Sequence, residues 1–484
     1  LYGEAGDGLF LIVLGRIAQI FLLLATLRIA TTVLAPDEMG RMSLILTSTA
    51  FFALFLVNPV GMFVNRRLHA WQESGRAGRY LSVYFFYLLL VCTSAALTLV
   101  LLNTFGLVAF RTSLPWLLLL ITGSLFFNTL NQTFIPSLNL LGHRKAFIVL
   151  SLLTVAASLL LAVGMTRFFF HRAEYWLLGI VAGQMLVGLV GMKVFEKEAN
   201  ISFSLTSRIG PEHRKRLFGF AWPIAIAVGL NWVQTQGYRF VLGESLSMSV
   251  LGLFVAGYGI SAGIIAAFES VLTTYFQPQF YKRITNDDPL MQAVAWNTYA
   301  AALLPSLILL VCMVWAVAPE LTNLLLGPAY AASAAFIVWG ALAEAGRVLT
   351  SVYSLVAQVK MNTRLLILPS LLGAAVAVGL IWWLVPMHGG QGAGIALTVA
   401  GTVVVLAMHM LVRRQLAMRL PIRAAVISLA MGGGLILLAL VMRSLFHNQP
   451  GRLVTLTVLA ILGVVFLLMQ YSLLKPSLGV QRNV

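Results

Sequence analysis

Apolar runs of about 20 to 28 residues recur from one end of this 484-residue chain to the other, and that rhythm leaves few folds open. A helix needs about 20 apolar residues to cross the ~30 Å hydrocarbon core of a bilayer. In that medium only a helix or a closed barrel can satisfy its own backbone N–H and C=O groups. Composition agrees: 60% of residues are hydrophobic, 10% are charged and the mean hydropathy is +0.94, outside the range of soluble globular chains. The expected class is therefore an all-α integral membrane protein, and no polar stretch is long enough to fold as a separate soluble domain. The first run reads as a retained span. Its leading "LYGEAGDG" holds Glu4 and Asp7 and no base, and no small-residue cleavage site follows.

Stretches bounded by charge, Gly or Pro place spans near 9–34, 42–64, 80–105, 114–141, 146–168, 174–194, 218–243, 249–281, 295–318, 331–359, 365–386, 391–412, 422–443 and 453–474, which makes fourteen transmembrane helices. The net charge of +17 sorts sharply across them. With a cytoplasmic N-terminus, 22 of the 32 bases fall in inward gaps and the tail. Six face outward: Arg41, Arg111, Arg167, Arg172, Arg443 and Arg452. That asymmetry predicts both termini in the cytoplasm, and the basic surface needs no nucleic acid because it faces an anionic leaflet. Arg16, Arg28, Arg239 and Arg347 remain inside spans. Cys92 and Cys312 both lie in apolar runs, where packing is expected rather than a disulfide or metal site.

The chain also repeats itself. Arg28, Gly40 and Pro59 ahead of "NRR" have counterparts in Arg239, Gly252 and Pro278 ahead of "YKR", and "FIVLSLL" at 147–153 returns as "LLILPSLL" at 365–372. Six spans preserve direction, so two six-helix lobes in a parallel pseudo-twofold repeat are expected, with two extra C-terminal helices. The boundaries follow: an N-lobe at 1–195, a basic cytoplasmic linker at 196–217, a C-lobe at 218–412 and the extra spans and tail at 413–484.

Polar residues gather on helix faces. Ser124, Asn128, Asn131, Gln132 and Asn139 fall within an arc of about 100° on span four, and Glu344, Arg347, Ser351, Ser354 and Gln358 within about 80° on span ten. Span seven adds Asn231, Gln234, Thr235, Tyr238 and Arg239; span eight adds Tyr258, Glu269, Thr273 and Gln277. Such faces turn to a partner helix or to water rather than to acyl chains. Arg28 and Arg239, at matching depths, are candidate anion-binding residues, and Arg16 is a third. Glu344 and Arg347, three apart, make a structural ion pair. Glu269 has no base three or four positions away and is the candidate for proton or cation coupling.

No GxxxxGK[ST], HExxH or GxSxG motif occurs, and the histidines have no metal spacing. The outward gaps are too short to hold catalytic carboxylates together with an acceptor. Transport is expected, not enzymatic catalysis, with no cofactor beyond H⁺ or Na⁺ as a coupling ion.

The Arg-bearing first span with "LAPDEMGRMSLILTS", "NPVGMFVNRR", "IPSLNLLGHRKAFIVLSLL", "LFGFAWPIAIAVGLNWVQTQGYRFVLGESLSMSVLGLFVAGYGIS" and "APELTNLLLGPAYAASAAFIVWG" together resemble the polysaccharide transporter (oligosaccharide flippase) family of the multidrug/oligosaccharidyl-lipid/polysaccharide exporter superfamily. The resemblance implies two six-helix lobes around a central cavity and alternating access. It also implies movement of an undecaprenyl-diphosphate-linked oligosaccharide, an O-antigen or exopolysaccharide repeat unit, to the outer leaflet of the bacterial inner membrane. On that reading Arg16, Arg28 and Arg239 meet the diphosphate, and Asn128, Asn131, Gln132, Asn231 and Gln234 meet sugar hydroxyls. The expected partners are the lipid-linked oligosaccharide, membrane lipid, a polysaccharide polymerase and a chain-length regulator, with the protein itself a monomer. Three alternatives stay open: an ion-coupled multidrug antiporter, a lipid II flippase, and a membrane glycan polymerase or ligase. The multidrug branch often carries acids in its N-lobe cavity; the interiors of the first six spans here hold Arg16 and Arg28 and no acid, which favours an anionic substrate.

Overall fold

The computed structural model describes residues 21–106, 111–201, 210–284, 289–359, 363–445 and 449–480, and among them there is no strand. The helices are α1 (Phe21–Val33), α2 (Pro36–Phe52), α3 (Asn58–Glu73), α4 (Ala77–Thr104), α5 (Leu114–Leu140), α6 (Arg144–Phe168), α7 (Ala173–Ala199), α8 (Pro211–Gln236) and α9 (Tyr238–Ser245). They continue as α10 (Met248–Ile284), α11 (Pro289–Ala316), α12 (Ala318–Leu325), α13 (Ala334–Val359), α14 (Ile367–Val412), α15 (Ile422–Leu445) and α16 (Gln449–Val480). Proline opens α2, α5, α8 and α12 within the first two positions, where its missing N–H costs no helical bond.

Among the described residues, eleven helical stretches are long and apolar enough to cross a membrane. One of them contains α14, in which Gly389 sits at φ 57° and ψ −140° and breaks the rod into the eleventh and twelfth spans. An L-residue is strained at that φ, so the glycine lets "MHGGQG" turn the chain. The shorter apolar helices Phe21–Val33 and Val454–Met469 fall within the first and last apolar runs. The protein is a multi-pass membrane protein, and its described helices follow the apolar runs.

Two compact units divide the chain at Gly252: Leu1–Gly252 and Leu253–Val484. The division falls later than the basic gap at 196–217, because α8 packs against α2, α3 and the short π-helical segment Ala53–Val57 that joins them. That segment stands just before Pro59, whose ring and missing donor disturb the regular ladder. The Leu56 carbonyl there accepts a 2.8 Å bond from the Tyr87 hydroxyl. In the second unit α15 and α16 pack on α11 around Leu309, Leu435, Ala439 and Leu459. Arg443 adds a bidentate pair to buried Glu320, Nε to Oε1 at 2.9 Å and Nη2 to Oε2 at 2.6 Å, so the thirteenth span is bound to α12 by charge as well as by packing. Cys92 and Cys312 are free thiols.

The repeated glycines explain each other. A Cβ on Gly40 would collide with the Met248 carbonyl, and one on Gly252 would collide with the Pro36 carbonyl. Each glycine thus faces the carbonyl four residues before the other, the reciprocal pattern of a twofold contact. Backbones approach this closely only over small residues. Gly252→Val should therefore lower the thermal stability of the purified protein by about 3 kcal/mol or more, as expected for overpacking against rigid backbone. A melting curve matching wild type would show that the crossing is not close.

Candidate functional site

The first unit builds a cationic site inside its spans. α9 opens with Tyr238, fully buried, and Arg239, half-buried. Arg239 Nη1 donates to Thr47 Oγ1 at 2.7 Å, and its Nε donates to the Tyr238 hydroxyl at 3.2 Å. The guanidinium carbon lies 5.6 Å from the Tyr238 ring centroid. Thr47 is completely buried and is the centre of this arrangement. Its hydroxyl donates to the Ser43 carbonyl at 2.7 Å, and its own carbonyl accepts Trp232 Nε1 at 3.2 Å. Among the described residues, Arg239 forms no ion pair: hydroxyls and a ring face hold its charge without cancelling it. That combination suits an anion arriving from outside the protein.

Thr47 is a residue that the sequence reading passed over. Ser43, Thr47 and Ser48 bond back to carbonyls of their own helix, so in sequence they look like ordinary span hydroxyls. Their common face on "SLILTS" is the signal that could have found them.

The other candidates separate. Arg28 is half-buried in α1; Asn128 is half-buried, Gln132 and Asn231 are exposed, and Gln234 is buried. Arg16 lies outside the described residues, as do the side chains of Gln277 and Gln358. Asn131 needs correcting: it was expected among the sugar-binding residues, but its amide is consumed by helix packing. Its Nδ2 donates to the Phe127 and Gln184 carbonyls at 2.8 and 2.7 Å, and its Oδ1 accepts from Thr154 at 3.2 Å. It joins α5 to α6 and α7, so the span-four stripe is divided between packing and exposed faces.

In the second unit, Arg347 on α13 gathers two carboxylates. Its Nε donates to Glu344 Oε2 at 2.6 Å, and its Nη2 donates to Glu269 Oε2 at 2.8 Å. Glu344 Oε1 accepts the Tyr258 hydroxyl at 2.6 Å. The base that Glu269 lacks three or four positions away on its own helix comes from α13. Two carboxyl groups share one guanidinium. Thr273, Ser351 and Ser354 spend their hydroxyls on carbonyls of their own helices.

An apolar cavity of about 510 Å³ lies between the π-helical segment, α3 and α8, lined by Phe55, Leu56, Pro59, Tyr87, Trp222 and Ile226 among others. Thr47 and Leu56 are nine residues apart, roughly 14 Å along a helix. The α2–α3 rod therefore carries a polar, cationic neighbourhood and a hydrocarbon-lined one in succession.

The chain matches the family described as "Polysaccharide biosynthesis protein" over residues 29–335. It belongs to that family. Solved structures agree in fold. The chain is similar to the lipid II flippase MurJ in an inward closed conformation, with a TM-score of 0.69, 13% identity and coverage of 96% of this chain and 99% of that one. It is also similar to an inward-facing multidrug resistance MATE transporter of the MOP superfamily, with a TM-score of 0.59, 13% identity and coverage of 82% and 95%. For the outward-facing conformation of a MATE transporter the values are 0.53, 14%, 85% and 93%. No curated protein sequence matches. At these identities the structures establish the fold alone, and that fold agrees with the polysaccharide transporter resemblance.

If Asn131 is a packing residue, Asn131→Ala should cost about 1–2 kcal/mol, the range for interhelical hydrogen bonds in membranes. Transport should survive in the fraction that remains folded, as read by unfolding in detergent alongside a transport assay normalised to folded protein.

Proposed function

We propose that this protein is a flippase that carries an undecaprenyl-diphosphate-linked oligosaccharide, an O-antigen or exopolysaccharide repeat unit, from the cytoplasmic to the outer leaflet of the bacterial inner membrane by alternating access. The observation that carries this reading is Arg239, a half-buried guanidinium within a span whose described partners are neutral. An arginine within a span costs up to about 2.5–3.5 kcal/mol on insertion scales, the full figure applying at the helix centre and less toward a span end. A charge kept at that cost without a carboxylate favours a ligand that brings its own negative charge, and a diphosphate is such a ligand. Family membership supports a glycan-linked substrate, and the apolar cavity beside α8 offers hydrocarbon surface to a prenyl chain. In this reading Arg28 shares the diphosphate, Asn128, Gln132, Asn231 and Gln234 face the sugars, and a polymerase takes the product on the far side.

The test is complementation of a deletion strain. Wild type should restore surface polysaccharide and clear lipid-linked units from the cytoplasmic leaflet, whereas Arg28→Ala combined with Arg239→Ala should restore about a tenth or less, as expected for losing charge-assisted contacts worth more than 1.4 kcal/mol. Full rescue by the double variant would remove the anion site from the mechanism. A cationic-drug antiporter would show the opposite pattern, sensitive to Glu269 and indifferent to the two arginines.

The coupling proposal rests on the Glu269–Arg347–Glu344 trio, in which two carboxyl groups compete for one guanidinium. Glu269→Gln should abolish the dependence of transport in proteoliposomes on an imposed H⁺ or Na⁺ gradient while substrate still binds. Unchanged gradient dependence would take the trio out of coupling.

A further inference from the structure

At the end of the first unit that the basic-loop count turns away from the cytoplasm, a pocket of about 260 Å³ forms where α2, α5 and α7 begin. Three helix N-termini therefore point toward one region, each adding partial positive charge. Arg41, Arg111 and Arg172 line the pocket together with Glu174. Arg41 is answered from its own helix by Glu38 at 3.2 Å and by Asp37 at 3.9 Å. Among the described residues, neither Arg111 nor Arg172 forms an ion pair. Arg111 is set in its place by a left-handed backbone, φ 52°.

The pocket also contains polar atoms that the fold leaves unused. Glu174 is buried, 8% exposed; its Oε1 accepts a 3.4 Å bond from Thr112, and its Oε2 has no hydrogen-bond partner among the described residues. Arg41 Nε is buried and likewise without a partner among the described residues. An unmatched buried carboxylate oxygen is costly unless a ligand donates to it. Trp116 and Tyr175, ring centroids 5.4 Å apart, complete the lining with two aromatic surfaces. The second wall is held firmly, because Glu38 Oε2 accepts the Ala173 N–H at 2.8 Å and so ties the start of α7 to α2.

We infer that this pocket is an outer-face binding site for an anionic sugar, a hexose ring bearing a carboxylate or a phosphate. Arg111 and Arg172 take the anion, Glu174 Oε2 accepts a ring hydroxyl, and Trp116 and Tyr175 cover the apolar face of the ring. Simple anion capture would have no use for Glu174; a neutral sugar would have no use for two unpaired arginines. The volume lies below the ~300–1,000 Å³ of sites for drug-sized ligands, which limits occupancy to about one ring. The ligand class follows from these residues and does not require the transport reading, so either proposal can fail without the other.

The test is isothermal titration calorimetry on the full chain in detergent, with glucuronate, glucose 1-phosphate, glucose and inorganic phosphate. Glucuronate and glucose 1-phosphate should bind, and glucose should not. Arg172→Gln should weaken both by about fivefold or more, the scale of one charge-assisted bond. Glu174→Gln should weaken the sugars and spare inorganic phosphate. If Glu174→Gln lowers the melting temperature, Arg111→Gln, at an exposed loop residue, serves as the second variant with the expectation set for Arg172→Gln. Glucose binding as tightly as glucuronate, or arginine variants within twofold of wild type, would overturn the assignment. Nanodiscs of phosphatidylcholine with and without phosphatidylglycerol separate the sources of anion: loss of glucuronate binding in the anionic discs would make a lipid headgroup the occupant and end the sugar assignment.

Discussion

A charge inside a membrane span must be answered by the protein or by what the protein carries, because hydrocarbon offers it nothing. The organisation of this chain follows from how that demand is met at different places. Arg347 is met by two carboxylates, and at the end of the thirteenth span Arg443 is met by a bidentate one; both pairings join helices within the second unit. Arg239 is met by Thr47 and Tyr238, which orient it without neutralising it. The contrast separates arginines that hold the fold together from one left available to a ligand.

Close backbone packing provides the frame on which that difference rests. At Gly40 and Gly252 two helices meet with no side chain between them, each glycine against the other's preceding turn. The start of α2 is thereby pinned at one end, and Glu38 pins it to α7. Along the same rod, Thr47 then presents its hydroxyl to Arg239, and the π-helical segment before Pro59 opens beside the apolar cavity. One helix with its continuation carries packing, charge and hydrocarbon surface in order.

Much of the fold was legible in the residues. Apolar runs reported the spans because a bilayer sets their length, and Gly389 divides the one continuous helical stretch where the sequence placed two spans. The spacing of Arg28 to Gly40 and of Arg239 to Gly252 pointed to a repeat, and the reciprocal glycine contact gives that spacing a structural basis. The site was less legible. Helical arcs placed Asn131 beside Gln132 on one stripe, yet adjacent positions differ by about 100°, enough for one to bond α6 and α7 while its neighbour stays exposed.

By itself, then, the sequence determined the class of protein, where its apolar runs lie, and which few charges would need explaining, since hydropathy and charge are local properties read residue by residue. Only the tertiary structure decided which partners those charges have. Thr47 reaches Arg239 across 192 positions of chain and Glu269 reaches Arg347 across 78. Partners that distant are chosen by the packing of whole helices, and no local pattern encodes them.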